Sequence, residues 1–164
     1  FAGGRRPALL DLGASYSVSL WFWNGLVTEA RPVTGYLFSR GRNHAVGAPG
    51  DHVGLEGHRN PDAQGRLFFY NGEEKDRTLH GRTPLERWTW NHLVLVRDGD
   101  RVKLYLNGRL EIEGAAARTI PTGVGQCFIG GRNDNVANFE GRIDEVAFFN
   151  RALTAEEVGT LGVD

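Results

Sequence analysis

The chain has 164 residues, enough for one domain in which a two-sheet β fold can bury most of its apolar surface. Nineteen Lys and Arg against twenty Asp and Glu leave a net charge of −1 with both signs interspersed, which excludes a phosphate-neutralising stripe and sets nucleic acid aside as a partner. No apolar run reaches bilayer length and nothing in the given sequence reads as a signal peptide, so membrane insertion is not expected; the lone cysteine, Cys127, cannot form an internal disulfide.

Taken in order, the elements are short, β-like and joined by turns. Residues 1–12 carry Ala8, Leu9, Leu10 and Leu12 behind Pro7, a pattern suited to an edge strand because proline cannot donate to a ladder. In residues 17–23, SVSLWFW, Val18, Leu20 and Phe22 share one face, the expected core, while Ser19, Trp21 and Trp23 share the other. Asn24-Gly25 marks a turn, and GYLFS at 35–39 is a further strand. The Gly-rich stretch 45–60 holds a strand at 53–56, and RLFFY at 66–70 precedes the hairpin-type signal Asn71-Gly72. Residues 73–87 are charged and aperiodic, which predicts a long surface loop with a strand piece near 78–80. Residues 88–97 form the longest run, apolar on both faces and therefore central, with Trp90 expected in the core and Trp88 at the entrance. Turns at Asp98-Gly99 and Asn107-Gly108 make a three-strand meander with 101–106 and 109–113, and residues 126–130 form another strand, in which Cys127 reads as a small buried apolar residue.

The closing segment, FEGRIDEVAFFNRALTAEE at 139–157, is a strand followed by a capping box, Thr154 with Glu157, and a short helix to about Leu161. In a regular strand Asp144 and Glu145 would point to opposite faces and could not act as an acid/base pair. Five motifs, Trp90 to Val94, Asp98-Gly99, Tyr105 to Gly108, Gly141 to Val146 and Arg151 to Glu157, occur in an order that closely resembles the laminin-G-like, concanavalin A-like jelly-roll modules of bacterial extracellular proteins. The resemblance implies an all-β sandwich of two antiparallel sheets with one short C-terminal helix, over residues 1–164 as a single domain. A start at Phe1 and the absence of methionine point to a piece excised from a longer chain. Because this fold carries many activities, function has to come from sites.

Four sites follow. The resemblance implies that Asp144 contributes to a structural Ca²⁺; Asn133 and Asp134, in the preceding loop, are weaker candidates, and the alternative is that Asp144 simply accepts hydrogen bonds from loop N–H groups. Trp21, Trp23, Arg40, Tyr70 and Tyr36 or Phe38 could line one sheet face as a sugar surface, against the tendency of strand aromatics to be core. His52, Glu56 and His58, with His44 and Asp51 nearby, share parity for a transition metal, but Gly50, Gly54 and Gly57 argue against continuous strand geometry; His92 reads as a hydrogen-bonded core residue. Some enzymes on the scaffold that this chain resembles, the retaining β-glucanases, use carboxylates alternating as E-x-D-x-E, and the chain offers only Glu111 and Glu113. The expected function is a non-catalytic binding module of a larger exported bacterial protein, extracellular or periplasmic, that binds a glycan or another extracellular ligand beside other domains of its parent. The alternative is a structural or protein-interaction domain, and a glycosidase is the lesser reading.

Overall fold

The computed structural model describes residues 12–73, 77–121 and 123–162; the edge strand expected within residues 1–12 lies almost wholly outside them. Among the described residues ten strands follow in order: β1 (Ser15–Asn24), β2 (Val33–Gly41), β3 (Gly50–Glu56), β4 (Leu67–Tyr70), β5 (Leu79–His80), β6 (Trp90–Asp98), β7 (Arg101–Leu106), β8 (Arg109–Ala115), β9 (Cys127–Ile129) and β10 (Gly141–Phe149), then helix α1 (Ala155–Thr160). The first sheet runs β10-β1-β6-β7-β8 and the second β5-β4-β3-β2-β9, each antiparallel throughout. This is the two-sheet sandwich that the turn-punctuated strands call for, with the long β6 at the centre of its sheet. Among the described residues no helix is long and apolar enough to cross a membrane.

The core lies between the sheets. Val18, Leu20 and Phe22 of β1, Leu93 and Leu95 of β6 and Val102 and Leu104 of β7 meet Leu37 and Phe38 of β2, Val53 of β3 and Leu67 and Phe69 of β4. The opposite face of β6 is also buried over part of its length. Val94, Val96 and Tyr105 are roofed by Leu153 and Val158, so the short C-terminal helix closes a second, smaller apolar layer. It is fixed there by the capping box: Glu157 N–H donates to Thr154 Oγ1 (3.2 Å), and Thr154 N–H donates to the Glu157 carboxylate (2.8 Å).

β10 departs from regular alternation. Ser19 pairs with Ala147 but Trp21 pairs with Asp144, so one extra residue sits on β10, and Glu145 takes a left-handed φ of 50°. The bulge turns the phase of the strand by one residue, which lets both Ile143 and Phe148 pack on the core although strict alternation would put them on opposite faces. It also corrects the expected separation of the two acids: Asp144 and Glu145 line the same cleft.

Charge is buried at one end of the sandwich. Tyr16 Oη donates to Asp51 Oδ2 (2.6 Å), Arg97 Nε lies 3.3 Å from the same oxygen, and the Arg97 guanidinium also donates to the carbonyls of Ala116 and Ala117. The Arg40 guanidinium stacks 4.7 Å over the Tyr16 ring and donates to the carbonyls of Leu12 and Gly13. Burial pushes the Asp51 carboxyl up, and Arg97 and the Tyr16 hydroxyl oppose it. Paired in this way, four elements are stitched together where Arg97 is fully buried.

Candidate functional site

The outer face of the second sheet carries a groove of about 820 Å³, lined by Glu56, Tyr70, His80, Arg59 and, from the loop after β9, Arg132 and Asp134. Local sequence explains its floor. Gly54 stands between Tyr36 and Phe68 in the sheet register, and a Cβ there would fall 2.7 Å from the Phe68 ring. With none present, Tyr36 and Phe68 meet edge to face at 5.5 Å. Gly54, expected with Gly50 and Gly57 to interrupt the strand, instead allows this close approach, and β3 is continuous from Gly50 to Glu56.

On that floor Glu56 is fully buried. Its Oε2 accepts from His80 Nε2 (3.0 Å) and Arg59 Nη2 (2.9 Å), while Oε1 has no hydrogen-bond partner among the described residues. Burial alone would raise this carboxyl, but the bonds from His80 and Arg59 outweigh it and leave it below the ordinary glutamate value. Across the groove Arg132 grips Asp134 through two parallel bonds of 2.7 Å and donates to Tyr36 Oη at 3.1 Å. Burial opposes ionisation of Asp134 as well, and the Arg132 guanidinium overrides it, holding the carboxyl below its ordinary value. The arrangement offers ionised carboxylates beside guanidinium N–H groups, donors and acceptors alternating along a concave wall.

The second concavity, about 330 Å³, is on the first sheet between Trp21, Trp90, Asp144, Glu145 and Gly162. Trp90 was expected in the core and is 41% exposed, because its face of β6 is roofed by α1 only as far as Val94 and Val96. Trp21 stacks on the His92 ring at 5.1 Å, and Trp23 lies under the Arg142 guanidinium at 5.0 Å. Trp88, with φ 63°, is 63% exposed beside Arg87.

The residues expected to share one sugar surface are therefore divided. Trp21 and Trp23 are on the outer face of the first sheet, and Tyr70 is on the second, its hydroxyl donating to Gly72 O at 2.7 Å. Arg40 points inward into the buried charge cluster, because Phe38 and Arg40 share parity on a strand whose Phe38 packs in the core. The transition-metal grouping does not assemble: both ring nitrogens of His52 are committed, to Ser39 Oγ and Ala48 O, and His58 is exposed past the end of β3. Among the described residues no three of His, Cys, Asp and Glu are placed to hold a metal. At Asp144, one oxygen already accepts from the Glu145 N–H, so a Ca²⁺ there would have these two carboxylates and would need backbone carbonyls or water for the rest of its six to eight oxygens. Asn133 is used in holding its loop, donating to Arg42 O. Glu111 accepts from Thr83 N–H and Oγ1, tethering the long loop, and Glu113 pairs with Lys103 at 3.3 Å. His92 is buried and bonded to Ser19 Oγ, and Cys127 packs against the core with its thiol pushed up to about 11 by burial.

Sequence reasoning did not find Arg59, His80 or Arg132 as site residues. They come from three separated segments, and no local spacing joins them; only the β3-β4-β5 pairing and the return of the chain after β9 bring them to one groove.

Domain 4 of AbnA, an extracellular GH43 arabinanase of Geobacillus stearothermophilus solved with arabinotriose, is similar in structure at 25% identity and a TM-score of 0.67, covering 94% of this chain and 69% of that one. The CBM40 of a Ruminococcus gnavus IT-sialidase, solved with α2,3-sialyllactose, matches at 18% identity and TM-score 0.67 over 92% of this chain and 83% of its own. A SAP-like pentraxin of Limulus polyphemus matches at 18% identity and TM-score 0.67 over 92% and 70%. These last two likenesses show the fold. No curated protein sequence matches the chain. The family model of the concanavalin A-like lectin/glucanases superfamily matches residues 5–159, and the chain belongs to that family.

Proposed function

We propose that the chain is a non-catalytic carbohydrate-binding module of a larger exported protein, and that the groove over the second sheet holds the sugar. The observation that carries this reading is Glu56: a fully buried carboxylate on a groove floor, with one oxygen unpartnered among the described residues, the other bonded to Arg59, and Arg132 lining the same groove. A buried polar atom without a partner costs about 1–3 kcal/mol unless something completes it, and a sugar hydroxyl is of the right size and polarity. The arabinotriose held by the arabinanase domain supports the same class of ligand.

The non-catalytic part rests on Glu56 and Asp134. Glycoside hydrolysis needs one carboxyl kept protonated near neutral pH as general acid, and both of these are held below their ordinary values by basic neighbours. A second reading puts the sugar on the indoles at the 330 Å³ cleft, favoured by the exposure of Trp90. A Ca²⁺ at Asp144 belongs to the proposal too, supported by the two carboxylates that the bulge brings to one cleft. Binding to a glycan array, with Arg132→Ala as the groove variant and Trp90→Ala as the cleft variant, tests the assignment. Loss of at least tenfold in affinity is expected for the first and little change for the second; an array on which nothing binds leaves a structural or protein-interaction domain as the function.

A further inference from the structure

We infer that the groove over the second sheet selects neutral saccharides and rejects those bearing a carboxylate, an inference that rests on the proposed carbohydrate-binding role. Among the described residues its walls show two arginines, which alone would suit an acidic sugar, but each guanidinium is already paired with a carboxylate. Arg132 spends a bidentate fork on Asp134 and a third bond on Tyr36 Oη, and Arg59 is paired with Glu56 while lying 5.6 Å over the Phe68 ring. Among the described residues formal charge along the groove is balanced, two carboxylates against two guanidinium groups, with the His80 Nε2–H also given to Glu56.

The remaining capacity is the Glu56 Oε1 lone pairs and the outer N–H edges of the arginines. Oε1 can take only a donor. A sugar hydroxyl donates and accepts, so a vicinal diol can give one proton to Oε1 and accept from a guanidinium at its side. A sugar carboxylate only accepts. At Oε1 it would meet like charge, and at the outer N–H edges it would meet guanidinium groups whose charge Glu56 and Asp134 already neutralise; a bidentate grip would require stripping Arg132 from Asp134 and leaving that half-buried acid unpaired.

The test is affinity for matched neutral and carboxylate-bearing oligosaccharides: arabinotriose and other neutral pentose and hexose trimers on one side, uronic acid trimers and sialyllactose on the other. Binding of neutral sugars at least tenfold more tightly is expected. Glu56→Gln should reduce it at least tenfold. Because that change disturbs a buried pair, the deciding variant is Asp134→Asn on the surface loop, which frees Arg132 and should raise affinity for the carboxylate-bearing set severalfold. Equal binding of both sets, preference for the acidic set, or an unaltered preference in Asp134→Asn would each overturn the inference while leaving a carbohydrate-binding role standing. Failure of every saccharide to bind overturns the carbohydrate-binding role itself, and the selectivity with it.

Discussion

At the scale of single residues, buried polar side chains hold parts of the structure that their sequence context does not reveal. His52 is fully buried with both nitrogens bonded, and burial lowers its pKa from the ordinary 6.5 to about 4. The folded protein thus keeps His52 neutral over a range in which the unfolded chain takes up a proton. Stability must fall as pH drops from about 6.5 through about 4, and the part due to this group amounts to about 3 kcal/mol once both states are protonated. Melting temperatures measured from pH 7 to pH 4 should show that decline in the parent chain and a shallower one in His52→Gln; identical slopes would mean that His52 is not the titrating group. Nothing in the sequence around His52 distinguishes a satisfied buried imidazole from a metal ligand. The partners that decide it, Ser39 Oγ and Ala48 O, come from a neighbouring strand and a preceding turn.

At the scale of elements, the sandwich, its central strand and the turns and cap were legible, whereas the exposure of Trp90 and the bulge in β10 were not. The β6-β7-β8 meander is encoded in two turn dipeptides, and the cap of α1 in Thr154 and Glu157, each within a few residues of what it controls. Replacing Thr154 by Ala removes the hydroxyl that accepts from Glu157 N–H and should cost about 1 kcal/mol of stability by chemical denaturation, without altering the sheets; a change below a few tenths would mean that α1 is held by Leu153 and Val158 alone. Trp90 went the other way. Its parity with Val94 and Val96 predicted burial, yet the six-residue helix is too short to reach it. The β10 bulge was equally invisible, because left-handed φ at Glu145 is imposed by the need to place both Ile143 and Phe148 inward. That bulge bears on calcium. If Asp144 and Glu145 hold Ca²⁺, an ion at a hundredfold over its dissociation constant adds about 2.7 kcal/mol, so EGTA should lower the melting temperature and Asp144→Ala should abolish the difference. An EGTA-insensitive melt, with no ion found in the purified protein, would remove calcium from the account.

At the scale of the whole molecule, the two sheets present two different surfaces. The first shows indoles and an acidic pair; the second shows a charge-balanced polar groove built from β3, β4, β5 and the loop after β9. The fold was legible because alternation, turns and the closing motif all point the same way. The groove was not, since its floor depends on the absence of a side chain at Gly54 and on the meeting of Glu56, His80 and Arg132 from distant positions. That this groove is the sugar site is the central claim, and amide chemical-shift mapping of the isotopically labelled chain during titration with arabinotriose and the neutral oligosaccharide panel addresses it most directly. Shifts should concentrate at Glu56, Arg59, His80, Arg132 and Asp134, with the amides of Trp21, Trp90 and Asp144 unmoved; shifts confined to the tryptophan cleft of the first sheet would contradict it.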